Sequence, residues 1–276
     1  MLEITGVLMI TRSSFKKDMY DMSDLLSIMS ILRAPGGCPW DIEQTHASIR
    51  NNMIEEAYEV VDAIDRNDDT ALCEELGDIL LQVAFHSQIS EDGGGFDFSS
   101  VVDGICKKLI LRHPHVFGDV SADNVDKVLD NWEAIKRVEK HQTSYTDTLC
   151  SVPMSFPALM RAAKVQKRAA KAGFDWDDVS GAFSKLPEET DELSRAVKTG
   201  NSADIAEEFG DLLFAAVNVS RFLKVDPEQA LNAATDKFIN RFAAVEETVK
   251  KTGHDMKELS LSELDGIWND VKHTVK

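Results

Sequence analysis

Apolar residues recur along this chain at the three- and four-residue spacing of a helix that faces a core, as in Leu76, Ile79, Leu80, Val83 and Ala84, or Phe209, Leu212, Leu213, Ala216 and Val217. The period-two alternation of a half-buried strand is nearly absent, so the pattern predicts an all-α protein. Helix starts are legible as well. Asp226 followed by Pro227 has the form of an N-cap with proline at the first helical position, and Ser260 with Glu263 has the spacing of a capping box. Breaks fall at 34–39 (APGGCP), at Gly93-Gly94-Gly95, at 113–115 (HPH) and over the polar, proline-bearing stretch 141–157, which is expected to be a linker.

The helical pattern is written twice. Glu55-Glu56-Ala57-Tyr58-Glu59 matches Glu188-Glu189-Thr190-Asp191-Glu192, and Glu74-Glu75-Leu76-Gly77-Asp78 matches Glu207-Glu208-Phe209-Gly210-Asp211, with both second copies 133 residues after the first. Further along, Lys108 and Arg112 match Lys237 and Arg241 at 129 residues, a smaller offset of the kind a loop change produces, and Trp132 and Lys136 match Trp268 and Lys272. The chain therefore divides into two copies of one helical module, expected at 1–145 and 146–276.

Within each copy the acidic residues have a mirror arrangement. Residues three apart share a helix face, so Glu189 with Glu192, and Glu208 with Asp211, each form a two-carboxylate patch. Both cross-pairs, Glu192 with Glu208 and Glu189 with Asp211, are centred on Gly200 in a turn-like Thr-Gly-Asn-Ser. A hairpin folded there places the four at matching heights, about 12–16 Å from the turn on helices roughly 8–10 Å apart. In the first copy Glu59 with Glu75, and Glu56 with Asp78, are centred on Asn67 in the same way. Four carboxylates converging between apolar faces repel one another, and a divalent cation resolves the conflict; an all-oxygen donor set favours magnesium or manganese. Most acidic residues in so acidic a chain lie on solvated faces, and a single such patch would carry little weight. Its mirrored duplication is what points to metal chemistry. Lys237 and Arg241, four apart on one helix face, could grip phosphates or pair with neighbouring acids, and Trp268 could stack on a base or fill a core.

Composition narrows the field. With 48 acidic against 30 basic residues the formal net charge is −18, which argues against a nucleic-acid polymer or an anionic membrane surface as partner. Cys38, Cys73, Cys106 and Cys150 are dispersed without a CxxC pair, giving neither a zinc site nor a disulfide framework and fitting a reducing cytoplasm. The apolar run near the start is short and lacks a convincing cleavage site, so no leader is expected there, and no stretch approaches the ~18 apolar residues of a membrane helix.

The EExxE and ExxD motifs, together with GCPWD at 37–41, RHPHVFGD at 112–119, PALMRAAKVQKRAAKAGFDW at 157–176 and EEFGDLLFAAVN at 207–218, resemble the MazG family of all-α nucleotide pyrophosphohydrolases over nearly the whole chain. That resemblance implies two tandem helical-bundle modules and a homodimer. It also implies magnesium-dependent cleavage of nucleoside triphosphates between the α- and β-phosphates, giving the monophosphate and pyrophosphate. Position by position, it makes Glu189, Glu192, Glu208 and Asp211 the metal ligands and places the nucleotide near Lys185, Glu188, Glu189, Asp204, Glu207, Asp211, Lys237, Arg241 and Trp268. Glu188, beside the ligands, is a candidate to orient or deprotonate the attacking water.

The copies differ where Lys185 corresponds to Asn52, which favours the second as catalytic and the first as mainly structural. Competing readings are a narrower pyrophosphohydrolase acting on dUTP or phosphoribosyl-ATP, and a nucleotide-sensing or partner-binding helical module with vestigial acidic clusters. A transition-metal enzyme using His113 and His115 is a third, although the proline between them suits a structural or capping role better.

Overall fold

The structure, a computed structural model, describes residues 17–120 and 124–274. The N-terminal run on which the expectation about a leader rests lies outside these residues. Among the described residues there is no strand, and no helix is long and apolar enough to cross a membrane. By packing, the chain separates into two compact units, 1–135 and 136–276.

The first unit holds α1 (Met22–Arg33), α2 (Pro39–Glu43), α3 (Arg50–Asp65), α4 (Asp69–Asp92), α5 (Phe98–Arg112), α6 (Pro114–Phe117) and most of α7 (Val125–Glu139). The antiparallel pair α3/α4 is its centre, and α1 packs on α4. Met29, Ile49 and Phe85 form the buried cluster between them, with Leu32, Leu81 and Ile89 against it.

The second unit holds α8 (Tyr145–Cys150), α9 (Ala158–Lys171), α10 (Val179–Thr199), α11 (Ser202–Leu223), α12 (Pro227–Lys251) and α13 (Leu261–Thr274), with a 3-10 turn at Met256–Glu258. Here α10 and α11 make the central pair, α9 packs on α11 and α12, and α13 packs on α12. Val245, Val249 and Val271 form a separate small core between α12 and α13.

The stretch expected to be a linker contains α8, which packs on α9. Its polar residues are caps: Ser144 accepts from the Asp147 backbone N–H while the Asp147 carboxylate accepts from the Ser144 N–H, a full capping box. Arg168 then ties the segment to α9 through the Thr148 carbonyl and the Ser151 hydroxyl. His113 also serves structure: it caps α5, its ring lies 2.7 Å from the Leu109 carbonyl, and it meets the Trp132 ring edge-on at 5.0 Å.

The two central hairpins turn where the mirror symmetry placed them. Gly200, at φ 74°, ends α10 in the left-handed region, and Asn201 starts α11 by accepting from the Ala203 N–H. In the first unit Asn67, at φ 54°, takes the left-handed position, and Asp68 caps α4 by accepting from Thr70 and Ala71. Each turn is a left-handed residue followed by a short polar cap. Gly200→Ala forces a Cβ into that left-handed conformation and is expected to cost about 1 kcal/mol, read as a fall of a few degrees in the thermal midpoint by circular dichroism. An unchanged midpoint would mean that the turn tolerates a side chain.

Candidate active site

Antiparallel packing of α10 on α11 brings the acidic patches together. Glu189, Glu208 and Asp211 can place one carboxylate oxygen each within 4.8 Å of one another, as can Glu188, Glu189 and Glu192, so Glu189 belongs to both groups. Glu189, Glu192 and Glu208 are half-buried, whereas Glu188 and Asp211 are exposed. Loss of hydration raises the Glu208 carboxyl above its ordinary value, and the negative charges of Glu192 and Asp211 raise it further. The site is thus a donor set of oxygens with too much negative charge for its own comfort, which suits a hard divalent cation.

The basic residue at the rim is Lys185, one turn before the cluster on α10. Its ammonium lies 2.7 Å from Glu188 and 3.8 Å from Glu189, and the Glu188 hydrogen bond raises its pKa above the usual lysine value. Arg195 similarly leans on Glu192 at 3.4 Å. Pro187 lies inside α10 immediately before Glu188, where it removes the helical hydrogen bond to Phe183 and so interrupts the ladder at the start of the acidic run. Asp204 accepts from the Asn201 side chain at 2.9 Å, and with Glu192, Glu207 and Glu208 it borders a shallow groove at the turn end of the helix pair.

Lys237, Arg241 and Trp268 are placed differently. They stand on α12 and α13, and α12 packs on α9, α13 and the 3-10 turn rather than mainly on the carboxylate-bearing pair. Lys237 is exposed, and Trp268 lies against the valine core of α12 and α13 with its ring 5.2 Å from Phe238.

Beside Glu189 and Asp211 opens a cleft of about 240 Å³ between α9, α10 and α11. Its walls include Val165, Ala169, Phe174, Trp176, Ala182 and Phe214; Lys185, Glu189 and Asp211 form part of the lining, as do the amides Gln166 and Asn218. Two devices hold the wall in place. Arg221 forks onto Asp175 with contacts of 2.8 and 2.5 Å, clamping the segment that carries Phe174 and Trp176 to α11. Gly181 leaves room for the Trp176 indole, whose ring carbons would stand 2.4 Å from a Cβ at that position. None of Gln166, Asn218, Phe174 or Trp176 was among the residues selected from sequence. The available signals were Asn218, two helical turns after Asp211 and so on the same face, and Gln166, a polar residue flanked by Ala162, Val165 and Ala169.

The first unit keeps the carboxylates but carries different side chains at positions that line the second unit's cleft. Glu56, Glu59 and Glu75 gather within 4.8 Å, and the Glu56 carboxyl is raised by burial and by the Asp78 charge. Glu75 is raised as well, by burial first and then by Glu59. The 133-residue offset pairs Ile49 with Ala182 and Phe85 with Asn218, and these two bulkier residues are the ones buried with Met29 at 1% and 4% exposure. Further on, Arg112, the counterpart of Arg241, is buried with its guanidinium over the Trp132 ring. Among the described residues, the groups able to hold a metal are all carboxylate and include neither His113 nor His115.

Comparison with known proteins agrees with the duplication. The model of the MazG nucleotide pyrophosphohydrolase domain matches twice, at residues 44–117 and 171–245. The chain is 45% identical to the nucleoside triphosphate pyrophosphohydrolase/pyrophosphatase MazG of Thermotoga maritima, over 90% of this chain and 94% of that protein. It is 45% identical to the nucleoside triphosphate pyrophosphohydrolase of Escherichia coli K12, over 92% of this chain and 98% of that protein. At 49% identity it also matches the uncharacterized protein YabN of Bacillus subtilis, where 92% of this chain covers 52% of the longer relative. With the family's domain present in both halves, and relatives this similar along almost their full length, the chain belongs to the MazG nucleotide pyrophosphohydrolase family.

Proposed function

We propose that the chain hydrolyses nucleoside triphosphates, ribo- and deoxyribo-, between the α- and β-phosphates to the monophosphate and pyrophosphate, and that the second unit does so with magnesium held by Glu189, Glu192, Glu208 and Asp211. The observation that carries this reading is the convergence of half-buried carboxylates from two helices beside a cleft with an apolar wall and a lysine. Manganese could serve the same oxygen donors. When bound, the cation supplies neutralising charge on the phosphates and lowers the pKa of a coordinated water. Glu188, exposed next to the ligands, orients or deprotonates the attacking water. Lys185, 2.7 Å from Glu188, is placed to hold a phosphate oxygen. Asp204 and Glu207 border the substrate at the turn end of the helix pair.

A homodimer fits the remaining residues. Phe209, Phe238 and Ile239 are each more than half exposed, which is unusual for a stable isolated unit. The placement of Lys237, Arg241 and Trp268 on α12 and α13, which pack chiefly on α9 and on each other, supports a second copy bringing them to the carboxylates across the interface.

The cleft and the lysine beside the second unit's carboxylates, with Asn52 standing where Lys185 does, support assigning catalysis to the second. Glu192→Gln or Asp211→Asn is expected to lower turnover by about a thousandfold or more while the helical circular dichroism persists, and Glu59→Gln or Asp78→Asn to leave most of it. Pyrophosphate release measured with and without magnesium checks both halves of that statement, and loss of activity only in the first-unit variants would reverse the assignment. Mixing Glu192→Gln with Arg241→Ala, each inactive alone, should recover roughly a quarter of wild-type turnover, since half of randomly mixed dimers carry one intact site of two. No recovery would mean that each chain builds its site alone.

The raised carboxyl of Glu208 sets a pH dependence. A folded-state pKa above the unfolded value means that the native protein holds this proton more tightly, so ionisation as pH rises through that range destabilises the metal-free fold. Magnesium binds the ionised form and competes with the proton. The rise in thermal midpoint on adding magnesium should therefore be larger at about pH 8 than at about pH 5; an equal or opposite difference would count against competition between magnesium and the Glu208 proton.

A further inference from the structure

The cleft beside the carboxylates holds two amides whose orientation is decided by their partners. The Gln166 side chain lies 2.8 Å from the Phe214 main-chain carbonyl; that oxygen can only accept, so the amide atom facing it is the nitrogen Nε2. The other atom, Oε1, is buried without a hydrogen-bond partner on a residue only 6% exposed. Asn218 is fixed in the opposite sense. The Arg221 guanidinium can only donate, so the atom 2.9 Å from its Nε is Oδ1, and Nδ2 is left as the amide's donor.

We propose that Gln166 is a specificity-determining residue of the nucleotide site, its Oε1 accepting a hydrogen bond from the base of the substrate while Asn218 Nδ2 donates to a ring acceptor beside it. This deepens the proposed function and rests on it. The cleft has the order of a nucleotide, with carboxylates and lysine for the phosphates, and apolar walls with Phe174 and Trp176 for a flat ring. A buried acceptor without a partner destabilises the empty fold, a cost that a ligand donor removes. The Phe174 ring on the rim is 85% exposed and free to turn aside as a base enters. The contact reads the presence of a donor rather than one base: adenine and cytosine offer an exocyclic amino group, and guanine and uracil a ring N–H, each next to an acceptor. In the first unit the counterpart of Asn218 is the buried Phe85, so that unit lacks one of the two amides.

The test compares ATP with purine riboside triphosphate, which keeps the ring and its N1 acceptor but lacks the amino group, by kcat/KM for pyrophosphate release. The wild-type chain should use ATP about tenfold to a hundredfold better, and Gln166→Met, similar in volume but without the acceptor, should bring the ratio close to one by slowing ATP and sparing the analogue. Wild-type enzyme that turns over both equally overturns the inference and leaves the proposed function standing. Wild-type protein that turns over neither overturns both. A folded Gln166→Met that keeps the wild-type ratio also overturns it, and Gln166→Leu replaces that variant if it loses its helical circular dichroism.

Discussion

Carboxylates brought together from two helices repel one another, and that repulsion is the constraint at the centre of the second unit. Glu189 joins both acidic groups, and burial together with the charges of Glu192 and Asp211 raises the Glu208 carboxyl. Bringing acids from two helices into one cluster requires helices that are long, antiparallel and correctly phased. The Gly200 turn and its Asn201 cap meet that requirement by fixing where one helix stops and the next begins. The same build at Asn67 and Asp68 explains why the first unit presents the same seam.

The units differ in the side chains beside the seam. Ala182 and Asn218 leave a cleft in the second, where Arg221 and Gly181 hold its aromatic wall. Their counterparts Ile49 and Phe85 are buried in the first unit's core, and Arg112 is committed to Trp132. Burial of such side chains is worth about 1.5–3 kcal/mol each when complete, so the first unit's substitutions at these positions favour packing.

Hydrophobic patterning set the helices along α10 and α11 correctly, yet much of that apolar surface is uncovered within the chain. Phe209 and Leu213, both part of the helical stripe, are 52% and 43% exposed. Periodicity reports which residues need cover and says nothing about which chain provides it. The same ambiguity applies to Lys237, Arg241 and Trp268, whose spacing on their helices is clear but whose distance from the carboxylates depends on how α12 packs.

By itself, the sequence determined the helical class, the duplication and the acidic pairs, because each depends on residues close along one helix or mirrored about one turn. Caps such as Asp226 and Ser260 belong to the same local category and occur as expected. The polar stretch at 141–157 contains a helix that its composition does not announce, because cap residues and linker residues are the same types and only packing on α9 separates them. Tertiary structure alone decided the cleft, since Gln166 on α9, Trp176 before α10 and Asn218 on α11 are brought together by the crossing of three helices. It also decided which atoms of the two amides are free, because an amide's direction is set by its partner, and neither Phe214's carbonyl nor Arg221's guanidinium is marked as that partner in a linear chain.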